Sequence, residues 1–259
     1  MSVAWTDSTV DIAGLKLHVS RGGTGSPVLI LHHDIGSLDR LAFYDSLAEH
    51  HDVVVPHHPG WGKSQRPEWM RHPRDISAIY AQLLAHLGLS GVSLVGLGFG
   101  GWIAAEMASQ APSAYHRLVL VAPMGIKPPE GDIADQAIVS YLIYPQSGFH
   151  DQAAFTRNYG DVTTDQLEAW DIAREMSFRT AWKPYMYSQT LPHLLAGVRS
   201  PALVIWGDED RIVPISAAAA WQKALPHARL ETIPACGHFA EMEKPDDVAR
   251  LTNSFIQSN

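Results

Sequence analysis

Leu94-Val-Gly-Leu-Gly-Phe-Gly-Gly-Trp-Ile-Ala-Ala-Glu-Met107 is the most informative segment of this chain. Its apolar start predicts a short buried strand at 93–95, and its alanine-rich second half predicts a helix at 99–110. The glycines between them predict a sharp turn, because glycine adopts backbone conformations that other residues avoid. A buried strand that turns directly into a helix is typical of a parallel sheet covered by helices.

The same alternation of strand and helix patterns extends along most of the chain. Strand patterns occur at 3–11, 15–21, 27–32, 52–55, 117–121, 202–206 and 229–233, and helix patterns at 38–50, 75–87, 215–224 and 246–257. Asp75 is expected to cap the helix that it begins. We predict an α/β fold with an eight-stranded, mostly parallel, doubly wound sheet.

The segment 128–197, called the lid segment below, interrupts this alternation. It is helical in pattern, contains no strand candidate and is rich in Tyr, Phe and Trp. We predict that it forms a helical lid inserted in a core made of residues 1–127 and 198–259. Its aromatic side chains favour a small, partly apolar substrate over a peptide or a sugar.

Composition excludes several classes of partner. The net charge is 19 − 27 = −8 without a basic block, which argues against nucleic acid and against an anionic membrane surface. The longest apolar runs have the length of strands and are too short to span a membrane. A single cysteine, Cys236, cannot form an internal disulfide, so we expect a cytoplasmic protein. We expect a small-molecule substrate and allow for a homo-oligomer.

Five motifs in order carry a resemblance to a known family: Leu31-His-His33, Pro56-His-His-Pro-Gly-Trp-Gly-Lys-Ser64, the segment 94–107, Trp206-Gly-Asp-Glu-Asp-Arg-Ile-Val-Pro214 and Cys236-Gly-His-Phe239. Together they resemble the α/β hydrolases over almost the whole chain. The Pro-Gly-Trp-Gly-Lys-Ser run is similar to that of carbon–carbon bond hydrolases acting on ring-cleavage products. Leu97 and Phe239 depart from the residues that those hydrolases often carry.

The resemblance implies a nucleophile elbow with glycine, Gly98, where the family pattern Gly-x-Ser-x-Gly has serine. A glycine can neither attack a carbonyl nor hold an acyl group. The resemblance assigns Asp210 as the acid and His238 as the general base, with Asp208 as the less favoured acid. The backbone amides of His33 and Phe99 are the expected oxyanion donors.

Further departures from the family pattern occur at neighbouring strand ends. His32-His33-Asp34 stands where the family usually has His-Gly, and His57 stands where it often has Asp. We name His32, Asp34, His57, Leu97, Trp182 and Phe239 as pocket candidates. His33, Asp34 and His57 have the residue types of a metal site, although loop histidines satisfied by neighbours are the preferred interpretation. No cofactor is expected.

Four functions are compatible with these residues. The first is an enzyme with hydrolase-like chemistry, in which Asp210 and His238 act as a base without a covalent intermediate. A lyase or isomerase on the same site is the second, and a ligand-binding pseudoenzyme is the third. The fourth is a serine hydrolase in which Ser was replaced by Gly98. Cys236 as a substitute nucleophile is less favoured, because a lone buried cysteine is commonly inert.

Overall fold

The computed structural model describes residues 3–225 and 227–258. Its sheet contains eight strands: β1 (Trp5–Ile12), β2 (Leu15–Gly22), β3 (Ser26–Leu31), β4 (His51–Pro56), β5 (Ser93–Leu97), β6 (Leu118–Val121), β7 (Ala202–Gly207) and β8 (Arg229–Ile233). The helices are α1 (Ala42–Ala48), α2 (Pro73–His86), α3 (Phe99–Gln110), α4 (Ile143–Ser147), α5 (Gln152–Tyr159), α6 (Thr164–Ala181), α7 (Leu191–Leu194), α8 (Ser216–Ala224), α9 (Ala240–Glu243) and α10 (Pro245–Gln257).

The strand order is β1-β2-β4-β3-β5-β6-β7-β8, with antiparallel pairing in β1–β2 and β2–β4 and parallel pairing from β4 onward. This confirms the predicted eight-stranded, mostly parallel sheet. Every residue of β5, β6 and β7 is buried, so both faces of the central sheet are covered. Helices α1 and α10 pack together, as do α2 and α3.

Two details of the predicted helices are wrong. Helix α1 begins at Ala42 rather than near residue 38, because Leu41 has an extended backbone. Helix α2 is capped by His72 and not by Asp75. His72 accepts a hydrogen bond from the amide of Arg74, while the Asp75 carboxylate accepts one from the amide of His72. Asp75 is therefore the third residue of a capping box, and Pro73 occupies the first helical position.

The turn between β5 and α3 depends on glycine. Gly98 has φ +50° and ψ −110°, a conformation that is strained for any residue with a side chain. A Cβ atom on Gly100 would lie 2.0 Å from the carbonyl oxygen of Leu31, so only glycine lets α3 approach β3 this closely. These contacts place the first turn of α3 against the carboxyl end of β3.

The lid segment lies between β6 and β7 and contains α4, α5, α6 and α7. Among the described residues, the lid segment forms one isolated β-bridge, in which Tyr187 pairs with Gly125 of the core. The predicted division of the chain at residues 128 and 197 remains a prediction. No described helix is both long enough and apolar enough to span a membrane.

Candidate active site

The carboxyl ends of four parallel strands carry the predicted site residues. Asp34 follows β3, Gly98 follows β5, Asp210 follows β7 and His238 follows β8. Parallel strands end at the same edge of a sheet, which is where α/β proteins bind ligands. Loops far apart in the sequence therefore meet at one point.

Asp210 and His238 form a buried pair. Nδ1 of His238 lies 2.8 Å from Oδ2 of Asp210, and both side chains are inaccessible to solvent. The other oxygen of Asp210 accepts hydrogen bonds from the amides of Ile212 and Val213. Burial alone would lower the pKa of His238, but the charge and hydrogen bond of Asp210 more than offset it, so the pKa is raised.

Asp208, the competing acid, is exposed, and its side chain has no hydrogen bond to His238. Its backbone amide donates to the carbonyl of Ile233 instead. The pairing of Asp210 with His238 agrees with the sequence assignment of the two residues. Their catalytic roles remain a prediction.

The side chain of His33 lies next to the position that the Cβ atom of a nucleophilic residue at 98 would occupy. A Cβ atom on Gly98 would lie 2.3 Å from Nδ1 of His33 and 2.9 Å from Nε2 of His238. A second imidazole therefore lies against this turn, beside that of His238. Sequence reasoning considered only the backbone amide of His33. The signal for its side chain was the joint change of two positions, histidine for glycine at 33 and glycine for serine at 98.

Glu241 holds the ring of His33 from the opposite side. Nε2 of His33 lies 3.1 and 3.2 Å from the two carboxylate oxygens of Glu241, and both side chains are at most 1% exposed. The Nε2–H group donates to this carboxylate, which leaves Nδ1 of His33 directed toward Gly98. Sequence reasoning missed Glu241, although a glutamate three residues after the predicted base was visible in the sequence.

Asp34 is fixed by the lid segment. Its Oδ2 atom accepts hydrogen bonds from the hydroxyl of Tyr144 at 2.8 Å and from the side-chain amide Nε2 of Gln136 at 2.5 Å. Its Oδ1 atom is buried and has no hydrogen-bond partner among the described residues. Burial, together with the charge of Asp34, raises the pKa of Tyr144 well above its ordinary value, so this hydroxyl is a donor.

His32 and His58 bind each other and the backbone. Nδ1 of His32 donates to the carbonyl of His33, and Nε2 of His32 accepts from the amide of His58. Nε2 of His58 donates to the carbonyl of His32. Burial lowers the pKa of both imidazoles, that of His58 to about 3. His32, a pocket candidate, is thus a neutral ring that joins the ends of β3 and β4.

His57 belongs to a different cluster from the one predicted. It lies with His18 and Asp39, whereas His33 and Asp34 lie with His238. The sequence-based metal set of His33, Asp34 and His57 is therefore wrong in its third member. The reason is that Nδ1 of His57 accepts a hydrogen bond from the amide of Lys63, which turns the ring toward β2.

The remaining pocket candidates divide into two groups. Phe239 is fully buried and packs against the rings of His33 and His238, with centroid distances of 4.7 and 5.2 Å. Leu97 is a fully buried residue of β5. Trp182 is 51% exposed and lines a surface groove of about 510 Å³ with Lys127 and Tyr185. The expectation that Trp182 faces the site is wrong, because the last turn of α6 directs it outward.

Cys236 does not supply a nucleophile. It is fully buried, its thiol donates a weak hydrogen bond to the carbonyl of Gly237, and burial raises the pKa of the thiol. Within the described residues, Nε2 of His238 has no hydrogen-bond partner, so neither this thiol nor a hydroxyl reaches it. The amide of Phe99 begins α3, where backbone N–H groups have no acceptor within the helix.

Contacts between the lid segment and the loop of His238 close the site. The amide of His238 donates to the carbonyl of Gly148 at 2.7 Å. Glu243, buried and also missed from the sequence, accepts hydrogen bonds from the amides of Gly237, His150 and Asp151. His33, Asp34 and His238 are at most 1% exposed, so these contacts shield the site from solvent.

Comparison with known proteins agrees with this architecture. The family model described as alpha/beta hydrolase fold matches residues 27–245. A 2-hydroxy-6-oxo-2,4-heptadienoate hydrolase of Pseudomonas putida is 24% identical, with 94% of this chain and 93% of that protein covered. The dihydrolipoyllysine-residue acetyltransferase component of the acetoin cleaving system of Cupriavidus necator is 27% identical over 95% of this chain and 68% of that protein.

Solved structures show the same fold. A meta-cleavage product hydrolase from Pseudomonas fluorescens superposes with a TM-score of 0.82 at 21% identity, covering 96% of each chain. A bacterial membrane phospholipase A has a TM-score of 0.82 at 22% identity, covering 97% of this chain and 86% of its own. The match of the family model to most of the sequence leads to one conclusion: this chain belongs to the alpha/beta hydrolase fold family.

Proposed function

We propose that this protein is a hydrolase of small, partly apolar molecules, in which His238, held by Asp210, acts as a general base on water. No covalent intermediate forms on residue 98, because Gly98 has no side chain. The observation that carries the proposal is the buried imidazole of His238. Its Nδ1 is bonded to Asp210, and its Nε2 has no partner among the described residues and lies beside the elbow.

The reaction follows from this arrangement. Asp210 accepts the Nδ1–H of His238, so the lone pair of Nε2 is free to take a proton from water as its oxygen attacks the substrate carbonyl. The carbonyl electrons move to the carbonyl oxygen of the substrate, which becomes negatively charged. The backbone amide of Phe99 at the start of α3 stabilises this charge. Collapse of this intermediate breaks the bond to the leaving group, and His238 returns the proton to that group.

The surroundings of the base support a small and partly apolar substrate. The rings of Phe239 and Phe149 lie next to each other, 5.3 Å apart, beside the two imidazoles. The relative from Pseudomonas putida is named for the hydrolysis of a 2-hydroxy-6-oxo-dienoate. Substrates of this kind, and other activated carbonyl compounds, suit base catalysis without a nucleophilic side chain, which typically contributes about 10²–10⁴-fold.

The position of His33 argues against a serine hydrolase disabled by a single substitution. Such a protein would leave room for the serine side chain at residue 98. Here a Cβ atom at this position would lie 2.3 Å from Nδ1 of His33, a distance that no Cβ atom tolerates. The combination of histidine at 33 with glycine at 98 supports a site that functions without a serine nucleophile.

Turnover in ¹⁸O-labelled water tests the proposal. Wild-type protein is incubated with 2-hydroxy-6-oxo-dienoates, lactones and activated esters, and products are analysed by mass spectrometry. Hydrolysis puts one labelled oxygen into the acid product. We expect His238→Ala and Asp210→Asn to lower kcat/KM by about 10²–10⁴, and the exposed His193→Ala to have little effect.

Three outcomes would contradict the proposal. Unlabelled products would indicate a lyase or isomerase. Stoichiometric binding of these compounds without turnover would indicate a ligand-binding protein. Full activity of His238→Ala would remove the base from the mechanism.

A further inference from the structure

His33, Asp34 and His238 each place one possible ligand atom within 4.8 Å of the other two, and the three residues are at most 1% exposed. Their candidate acceptor atoms are Nδ1 of His33, Oδ1 of Asp34 and Nε2 of His238, and the two nitrogens lie beside Gly98. Each of these atoms lacks a hydrogen-bond partner among the described residues. An unsatisfied buried polar group costs about 1–3 kcal/mol, so three at one point call for a shared partner.

The opposite side of each residue already has a hydrogen bond. His33 donates from Nε2 to Glu241, and His238 donates from Nδ1 to Asp210. Asp34 accepts on Oδ2 from Tyr144. Both imidazole protons are therefore directed away from the convergence point, and the three atoms that meet there offer only lone pairs. Such a set is satisfied by a positively charged partner.

We propose that His33, Asp34 and His238 bind a divalent transition-metal ion. Two imidazole nitrogens and one carboxylate oxygen are a common ligand set for Zn²⁺ and for non-haem Fe²⁺, whereas Mg²⁺ and Ca²⁺ prefer oxygen. Metal-bound histidines typically donate their second N–H group to a carboxylate, as His33 and His238 do. This inference goes beyond the proposed function, since binding requires no substrate.

Gly98 is essential to this site. The position of its missing Cβ atom lies 2.3 Å from Nδ1 of His33 and 2.9 Å from Nε2 of His238. Zn–N bonds measure about 2.0–2.1 Å, so an ion bound to both rings would lie next to Gly98, in the space toward which a side chain at this residue would project. At such bond lengths, two ligand atoms of a tetrahedral site lie roughly 3.3 Å apart. The three ligand atoms here lie within 4.8 Å of one another, so metal binding requires them to approach by up to about 1.5 Å. Any side chain at residue 98 would compete with the ion for this position.

The bound ion would change how water is activated. Three protein ligands leave a fourth position open, and a metal at such a site lowers the pKa of bound water toward about 7. Nε2 of His238 would then be a ligand and no longer a base, so the ion would generate the attacking hydroxide in the metal-loaded protein, and the general-base reaction proposed above would apply to the metal-free protein. Asp210 and Glu241 would hold the two imidazoles as ligands.

The cluster of His18, Asp39 and His57 provides a matched comparison. It has the same residue types, but Nζ of Lys63 lies 2.7 Å from Oδ2 of Asp39 and Nδ1 of His57 accepts the Lys63 amide. Asp39 is also half exposed. The ammonium group already neutralises the carboxylate, so we expect no metal there.

Metal titration of the full chain tests the inference. Protein freed of metal by a chelator is equilibrated with Zn²⁺ in a calorimeter and with Co²⁺ in a visible spectrophotometer. We expect one ion per chain and the d–d absorption of Co²⁺ in a site of low symmetry. His33→Asn, Asp34→Asn and Gly98→Val should each weaken binding by about 10–100-fold or more, while His18→Ala should bind as the wild type does.

Circular dichroism shows whether each variant folds. Should a ligand variant fail to fold, X-ray absorption of the Zn²⁺-loaded wild type replaces it, with the signature of two imidazoles expected. Absence of stoichiometric binding by the wild type, or unchanged affinity in a folded His33→Asn variant, would overturn the inference. Labelled-water hydrolysis by chelator-treated protein is measured separately, so a protein that hydrolyses without binding metal refutes the metal site and leaves the proposed function standing.

Discussion

Nδ1 of His33 lies 2.3 Å from the point where a Cβ atom on Gly98 would lie. The two residues come from loops after different strands, β3 and β5, and their side-chain volumes are mutually exclusive. A histidine of this orientation at 33 requires glycine at 98, and a nucleophile at 98 requires a smaller or differently oriented residue at 33. Single and double variants at residues 33 and 98 can therefore test this steric coupling.

We predict that Gly98→Ser alone does not create a serine hydrolase, because His33 blocks the serine side chain. The double variant Gly98→Ser with His33→Gly removes the obstruction and leaves Asp210 and His238 to activate the hydroxyl. Labelling by a fluorophosphonate checks this. We expect labelling of the double variant only, and its loss when His238→Ala is added; labelling of the single variant would refute the steric coupling.

The buried pair of His33 and Glu241 should be sensitive to truncation. Glu241→Ala leaves the buried Nε2–H group of His33 without its acceptor, and an unsatisfied buried donor typically costs about 1–3 kcal/mol. Urea denaturation measures the loss in the free energy of unfolding. The exposed pair of Arg250 and Asp247 serves as the control, and Asp247→Ala should cost less than about 1 kcal/mol. Equal losses in both variants would contradict the assigned burial of the pair.

Stability should fall as the pH is lowered from 7 to 5. Burial lowers the pKa of His57 to about 4 and that of His58 to about 3. In this range the unfolded chain binds protons on both rings with a pKa near 6.5, while the folded chain does not, so acid favours unfolding. Each ring contributes up to about 2 kcal/mol between pH 7 and 5.

Urea denaturation at several pH values measures this dependence. His57→Asn should reduce the loss of stability between pH 7 and 5 by about 2 kcal/mol or less. The exposed His193→Asn should leave the dependence unchanged. A pH dependence of His57→Asn equal to that of the wild type would contradict the lowered pKa of His57.

Glu243 should control how tightly the lid segment is held to the loop of His238. Its carboxylate accepts the amides of Gly237, His150 and Asp151, and Glu243→Gln replaces one acceptor oxygen by a donor. We expect faster amide hydrogen exchange at 148–151 and 236–238, with β5 unaffected. The partly exposed Glu231→Gln, which lies outside these contacts, is the matched control. Unchanged exchange at both loops would show that other contacts hold them.

Much of the fold was predictable because it depends on local and periodic patterns. Short apolar strands that alternate with helices favour a parallel sheet covered on both faces, and all eight predicted strands are present in one sheet. The pairing of Asp210 with His238 was predictable as well, because each follows a parallel strand at the same edge of the sheet. The predicted starts of the helices were less accurate. His72 caps α2 because its backbone is extended and its side chain accepts the amide of Arg74, and the sequence pattern does not reveal this geometry.

The content of the site was harder to predict. The sequence established that residue 98 has no side chain and that an acid and a histidine remain nearby. Only the folded chain revealed that His33 points at Gly98, that Glu241 holds it there, and that His57 lies in another cluster. Side-chain direction follows from the hydrogen bonds and packing between loops that are distant in sequence, and these contacts exist only when the sheet has brought the loops together.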